Sequence, residues 1–376
     1  MNLTQAQSVI KFFPPHDTPC ILSRPGQGKT KMVEAVAASM SADVVLIYAL
    51  IRDTVDAKGL PFIVKQERGS SVHWAVPGEF PIALFKDRFP ADRPIIFFLD
   101  DLFHAPDSVQ KVFARTFFER VIGEEALLPN VRVVVAGNRM EDKAGVVRSP
   151  SYVNDRLTFI EVEPDSRDWI SGAVSGFLKP EPDKDYPDKL AAIAKAVTKG
   201  IPDWLISYVN FTKAITDFDP ARRSNFGPRS IERAGRIVRA FDAAGVPDDI
   251  LSECLAGTIS AEHAEKAMAY RRMAATLPDI DAILAGKDVD LPKSAEALYM
   301  TAVSVLRGAS ERKLTKPVAK LVATLADLTD KKGHQIGLEI SAFLFSEALR
   351  SPKLVAIMRE PEIADWLKKH GKLVGS

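Results

Sequence analysis

Eight residues near the start of the chain, Ser23-Arg24-Pro25-Gly26-Gln27-Gly28-Lys29-Thr30, constrain its fold more than any other stretch. They follow the apolar run Cys20-Ile21-Leu22 and open a helical pattern, Lys31-Met32-Val33-Glu34-Ala35-Val36-Ala37. Strand, tight loop and helix in that order build a phosphate cradle. Backbone N–H groups of the loop converge on anionic oxygens, and the positive end of the helix dipole favours the same charge. In this reading Pro25, Gly26, Gln27, Gly28, Lys29, Thr30 and Lys31 form the binding loop. Lys29 reaches the β- and γ-phosphates, and the Thr30 hydroxyl ligates Mg²⁺. A general P-loop opens on glycine, and position 23 is serine. Gly26 and Gly28 nevertheless stand where the backbone must come closest to phosphate. A bare Gly-Lys-Thr can open any helix; the flanking strand and helix decide for phosphate.

Further buried strands follow at the spacing of an α/β fold. Asp43 to Ile51 is short and β-branched. Pro94 to Leu99 ends in Asp100-Asp101, and Val131 to Ala136 runs into Gly137-Asn138-Arg139. Strand tips carrying Asp are common in turns. Placed about 70 residues after a P-loop and before an amphipathic helix over Asp107 to Ile122, however, the two carboxylates form a Walker B arrangement. Asp100 would hold Mg²⁺ through water, and Asp101 would polarise an attacking water. Asn138, at the tip of the next strand, would orient that water or touch the γ-phosphate, although a lone Gly-Asn can also be a plain turn. Leu157 to Val162 gives one more strand. Strands separated by helices, with polar groups at their ends, describe a parallel sheet whose site lies at the carboxyl edge.

Between these elements, a helix over Gln5 to Phe13 is predicted with Thr4 as its cap. Two short strands around Arg68-Gly69-Ser70 suggest an inserted hairpin near 52–81 that carries Trp74, either as a contact residue or packed beneath the insert. A helix is expected over Pro81 to Phe89. After Pro164 the signals are almost wholly helical: Leu190 to Val197, Pro202 to Phe211, and a helix opened by Gly227-Pro228-Arg229-Ser230 that continues to about Ala243. Asp219-Pro220 through Phe226 reads as a polar loop. The chain is long enough, at 376 residues, for two or three domains. Its 50 basic and 49 acidic residues give no global drive toward nucleic acid or an anionic membrane. Two cysteines far apart, six scattered histidines and no apolar run near 20 residues predict a cytoplasmic protein without disulfides, zinc modules or a membrane span.

The motif series resembles the AAA+ ATPases, and more narrowly the MoxR-type branch of bacteria and their phages, whose members tend to be paired with a von Willebrand A domain protein. The resemblance is carried by the loop at 23–30, Leu99-Asp100-Asp101, Ala136-Gly137-Asn138-Arg139, Asn154-Asp155-Arg156 and Gly227-Pro228-Arg229-Ser230. The run from Gly137 through Asp142, Gly145, Arg148 and Pro150 to Arg156 is especially similar. It implies an αβα P-loop domain over 1–165, an all-helical lid over 166–245 and a helical C-terminal region over 246–376. It also implies ATP and Mg²⁺ as cofactors, hydrolysis of ATP, and a homo-oligomeric ring, usually a hexamer, that remodels a protein client in a chaperone-like way. Asn138 resembles sensor 1. Arg229 resembles sensor 2, contacting the γ-phosphate in cis. Arg156 resembles the arginine finger acting on the neighbour's nucleotide, with Arg148 as a competing candidate. If the gene is viral, the location would be the host cytoplasm. Asp101 stands where many relatives carry Glu, one methylene longer. Two other readings therefore stay open: an ATP-binding scaffold with little turnover, and a nucleic-acid motor or restriction-type NTPase. Near-zero net charge and the lack of a DNA-binding module speak against the second.

Overall fold

Sheet formation in this chain follows from apolar runs too short for helices and too uniformly apolar for a sheet wetted on one side. The computed structural model describes residues 1–376 apart from 67, 68, 143, 144, 148, 175, 177–179, 213, 214, 330–334 and 372–376. The chain divides into two units, Met1–Ile201 with Thr216–Glu265, and Pro202–Ile215 with Lys266–Ser376.

The first unit runs α1 (Leu3–Phe12), β1 (Thr18–Ser23), α2 (Lys29–Ser39), β2 (Asp43–Tyr48), α3 (Thr54–Lys58), β3 (Leu60–Gln66), β4 (Gly69–Ala75) and β5 (Ile95–Asp100). It continues with α4 (Asp107–Phe118), β6 (Val121–Ile122), β7 (Glu125–Ala126), β8 (Val131–Asn138), α5 (Ser151–Asn154), β9 (Leu157–Glu161), α6 (Ser166–Val174) and α7 (Tyr186–Val197). After α8 (Asp203–Thr212), a part of the second unit, come α9 (Pro228–Ala244) and α10 (Asp248–Ile259).

Five strands pair in parallel in the order β2-β5-β8-β1-β9. β1, β5 and β8 are buried along their whole length. Cys20, Leu22, Phe97, Leu99, Val133 and Val135 join one core cluster with Val109, Phe113 and Phe117 of α4. The alternate residues Ile21, Ile96, Phe98 and Val134 are as deeply buried on the opposite face. α1 and α2 pack against β1, β2 and β5.

Local differences from the sequence reading have local causes. α1 starts earlier than expected because Asn2, not Thr4, caps it: Asn2 and Gln5 exchange hydrogen bonds of 2.8 and 2.9 Å in a capping box. The expected helix over 107–122 stops at Phe118, since Arg120 takes a positive φ of 61° and turns the chain into the β6–β7 hairpin. Pro81 to Phe89 forms only a 3₁₀ turn over Ala83–Arg88. The inserted hairpin is β3–β4, antiparallel, with Leu60 opposite Ala75. Arg68, at its expected turn, lies outside the described residues. Trp74 is half-buried, and the Lys58 ammonium sits 3.5 Å from its ring centroid.

The β9 edge of the sheet is covered by α10, where the Thr158 and Thr258 hydroxyls lie 3.0 Å apart in a buried hydrogen bond. The approach is so close that a Cβ at Gly257 would fall 1.7 Å from the Phe159 carbonyl oxygen.

Among its described residues the second unit forms helices, with one isolated β-bridge between Thr329 and Gln335. α11 (Ala261–Ala274) begins in the first unit and runs into the second, followed by α12 (Ile280–Leu284), α13 (Ala295–Arg312), α14 (Lys316–Ala326), α15 (Leu338–Arg350) and α16 (Pro361–His370). Its core gathers Leu298, Val305, Val322, Leu344, Phe345 and Trp366. α8, in the same unit, buries Trp204, Leu205 and Tyr208. Among the described residues no helix is long and apolar enough to cross a membrane.

Gly257→Ala should lower stability by about 1–3 kcal/mol, the usual cost of forcing an extra methyl into a packed contact. Urea unfolding measures it. An unchanged midpoint would mean that α10 does not seat on β9.

Candidate active site

Parallel pairing decides which residues meet. Leu22 and Ser23 of β1 lie beside Gly137 and Asn138 of β8, and Leu99 of β5 lies beside Val135 of β8. The carboxyl ends of three adjacent strands therefore present Ser23, Asn138 and Asp100 side by side. This is the edge where open α/β sheets hold ligands.

The loop after β1 folds as the sequence predicts. Gly26 and Gly28 take positive φ angles of 75° and 80°, and a Cβ at either would meet nothing within 4 Å. Gly28 is the N-cap of α2, no side chain caps that helix, and its first turn carries no acidic residue. Its orphan N–H groups are thus left for an anion. Pro25 is exposed, and the Gln27 side-chain oxygen is buried without a partner. Lys31 points outward and pairs with Glu34 at 2.8 Å.

Lys29 is 9% exposed and donates to Asn138 Oδ1 at 2.6 Å, with Ser23 Oγ at 3.3 Å. Burial holds its ammonium below the usual lysine range, against the fields of Asp100, Asp101 and Asp142. Thr30 donates to Asp100 Oδ2 at 2.7 Å. Burial pushes Asp100 above the usual carboxylate range; the Thr30 hydrogen bond opposes this and the Asp101 charge adds to it. Both groups are thus charges in want of a counter-ion. An anionic phosphate would stabilise the Lys29 ammonium, and a divalent cation would stabilise the Asp100 carboxylate. The residues present fit Mg-nucleotide on those grounds: one hydroxyl and one carboxylate for the metal, the remaining positions being left to phosphate and water.

Asp101 has a left-handed backbone, φ 55° and ψ 35°, and its N–H donates to Asp100 Oδ1 at 3.0 Å. The chain folds back at once, placing His104 Nδ1 3.5 Å from Asp101 Oδ1. Asn138 donates through Nδ2 to His104 Nε2 at 3.3 Å.

Around this centre runs an ion network that the sequence reading passed over. Arg139 binds Asp142 at 3.0 Å and Glu163 at 3.0 Å, and Arg24 of the loop lies 3.8 Å from Asp142. These bonds hold Arg139 above, and Asp142 below, their usual ranges. Arg223 binds Glu161 at 2.7 Å and Glu141 at 3.0 Å. Its one signal in the sequence is the Arg222-Arg223 pair in an otherwise small and polar loop. A cavity of about 540 Å³ opens beside Asn138, lined also by Leu22, Asn154, Phe159 and Arg223.

The two other arginines singled out in the sequence lie elsewhere. Leu157 pairs with Thr18, the amino end of β1. At about 3.3 Å per residue, that puts Asp155 and Arg156 roughly 15 Å from the loop that follows Ser23. Arg156 donates to the Tyr152 carbonyl at 2.6 Å and lies 5.9 Å from that ring. Arg229 pairs with Asp155 at 2.6 Å and sits over the Phe118 ring at 5.0 Å. Arg229 is thus held by Asp155 beside the amino end of β9. Arg148 lies outside the described residues.

No family model matches the sequence, and no curated protein is significantly similar to it. Among solved structures, a candidate ATPase from Cytophaga hutchinsonii ATCC 33406 is similar in layout, at 14% identity and a TM-score of 0.45, over 77% of this chain and 90% of that one. A likeness at that level says nothing of activity.

The raised Asp100 value carries a stability consequence. The folded carboxyl holds its proton more tightly than the unfolded one, so ionising it costs stability from about pH 4, the ordinary carboxylate value, up to its raised value; above that the cost is complete. Asp100→Asn keeps an oxygen for Thr30 and should melt above the parent protein at pH 7 without nucleotide, the gap closing as pH falls toward 4. Thermal scans at the two pH values check this, and a variant melting lower at pH 7 would refute it.

Proposed function

We propose that the protein is an Mg-ATP hydrolase, a ring subunit of MoxR-like AAA+ type that remodels a protein client. The observation that carries this reading is the meeting of Lys29, Thr30, Asp100, Asp101 and Asn138 at three adjacent strand ends, with an uncapped helix opening onto them.

The P-loop backbone and the α2 amino terminus would bind the phosphates, and Lys29 would leave Asn138 for the β- and γ-oxygens. Thr30 and Asp100 would hold the metal, Thr30 directly and Asp100 through water. Bound Mg²⁺ supplies neutralisation of charge on the leaving phosphates. Asp101 would accept a hydrogen bond from the attacking water, and Asn138 would fix its direction. In-line attack then needs only small adjustments of groups already placed.

Arg156 supports the ring. Held at the opposite edge of the sheet from its own P-loop, it can stabilise charge only on a nucleotide bound by a neighbour. A site completed by a neighbour implies a heterologous contact, and such a contact closes as a ring when its rotation divides a full turn. Arg229, paired here with Asp155, is proposed as sensor 2 for the γ-phosphate in cis. The β3–β4 hairpin, with Leu60, Phe62, Ile63 and Val72 exposed, is the candidate contact for a client or for a von Willebrand A domain partner.

Phosphate release from Mg-ATP tests the chemistry: Lys29→Ala should lose 100-fold or more of turnover, the order expected when a charge-stabilising group is removed. Turnover that survives this substitution rejects the reading, and robust turnover in the parent protein excludes a mere scaffold. Arg156→Ala should also be inactive alone, yet regain activity when mixed with Lys29→Ala subunits, because only mixed rings contain complete sites. Failure to complement, or a monomer by mass photometry at every nucleotide state, would refute the trans finger.

A further inference from the structure

We propose that His104 is a positioning residue for hydrolysis, holding the Asp101 carboxylate and the Asn138 amide through the two nitrogens of one ring. The inference rests on the reading above and adds to it a residue that no motif assigns.

The fold builds this contact deliberately. Asp101 turns the chain through a left-handed residue, and a 3₁₀ turn follows over Leu102–His104, closed by the His104 N–H on the Asp101 carbonyl at 3.0 Å. Leu102 and Phe103 anchor the turn in the core. Phe103 rests on Gly137, where a Cβ would come within 2.5 Å of its ring. That glycine lets the turn lie flat on β8, and so brings the imidazole between Asp101 and the residue after Gly137, Asn138.

Donor and acceptor chemistry then fixes the orientation of the Asn138 amide and the form of the imidazole that meets it. A lysine ammonium can only donate, so the Asn138 atom 2.6 Å from Lys29 Nζ must be the carbonyl oxygen. The amide NH₂ therefore faces His104 Nε2 at 3.3 Å, and an NH₂ can only donate. Nε2 must then carry no proton, and the neutral ring carries its single proton on Nδ1, facing the Asp101 carboxylate 3.5 Å away. The result is a directed pair of hydrogen bonds, Lys29 to Asn138 and Asn138 to His104, with the buried Nδ1 left unbonded 3.5 Å from the Asp101 carboxylate. Nδ1 is buried without a hydrogen bond here, and the proposed bond to Asp101 would form as the reacting complex tightens.

The arrangement suits a water that attacks phosphorus. Such a water must direct both hydrogens away from the phosphate, which requires two acceptors held at a fixed separation. Once Lys29 turns to phosphate, Asn138 Oδ1 becomes one acceptor and the Asp101 carboxylate the other. His104 braces both from behind. An aspartate, shorter by a methylene than the usual glutamate, has the greater need of that brace.

Two measurements test the proposal. In the nucleotide-free protein with ¹⁵N-labelled histidine, the His104 ring should show the Nδ1–H tautomer, and Asn138→Ala should abolish that preference; an Nε2–H tautomer in the parent protein overturns this arrangement whether or not the protein hydrolyses ATP. In steady-state assays His104→Ala should lower kcat on the order of 10–100-fold with KM for Mg-ATP nearly unchanged. His104→Gln should recover part of the loss, and His104→Ala should cost little more in an Asp101→Asn background. A kcat within twofold of the parent, or costs that add fully, overturns the positioning role. Failure of the ATPase reading looks different: the parent protein would then turn over no faster than Lys29→Ala.

Discussion

A buried ammonium with a neutral oxygen as its nearest acceptor is the feature on which the rest of the first unit turns. Lys29 lies under its loop, 2.6 Å from Asn138 Oδ1, while the nearby carboxylates stand further off and only partly offset its loss of water. Taking a charge out of water is expensive unless a partner replaces the solvent. The structure supplies that partner incompletely and leaves the uncapped start of α2 beside it. A phosphate would complete both. The same logic applies to Asp100, whose carboxylate is buried against a hydroxyl and a backbone N–H rather than a full counter-charge. Stability withheld from the ligand-free state in this way becomes available to binding.

The parallel sheet separates two kinds of chemistry by its length. At the carboxyl edge stand the loop, the paired aspartates, Asn138 and the ring of Arg24, Arg139 and Arg223 with their carboxylates. At the amino edge stand Arg156, Arg229 and the half-buried pairing of Arg236 with Asp17 at 2.6 Å. Roughly 15 Å of strand lies between them. That separation is the observation behind the proposed trans role of Arg156. Through this ion network Arg139 and Arg223 tie the ends of β8 and β9 to the loop before α9.

Where the sequence could be read, the reason was burial. Val131 to Ala136 and Pro94 to Leu99 are apolar on both faces because the strands they form are covered on both faces, as central parallel strands are. Gly26, Gly28, Lys29 and Thr30 were legible because their spacing along the chain is also their spacing in space. His104 was not legible. Its role depends on a left-handed turn at Asp101 and on a glycine in another strand, neither of which marks a histidine as special. Arg223 and Glu161 were hidden for the same reason, lying 62 residues apart in the chain. Trp74 was undecided between surface and core, and Lys58 places it between the two.

By itself the sequence determined an α/β sheet of parallel strands, a phosphate loop at the end of the first, two acidic residues and an asparagine at the ends of two others, and a helical remainder. Each of these is set by neighbours within a few residues, through backbone freedom at glycine or through the periodicity of burial. Tertiary structure alone decided that β8 lies between β1 and β5, which puts Asn138 between Lys29 and the aspartates, and that Arg229 is held by Asp155 at the far edge. Strand order and long-range ion pairs depend on which surfaces bury best against each other, and that is a property of the assembled fold, with no local signature in the chain.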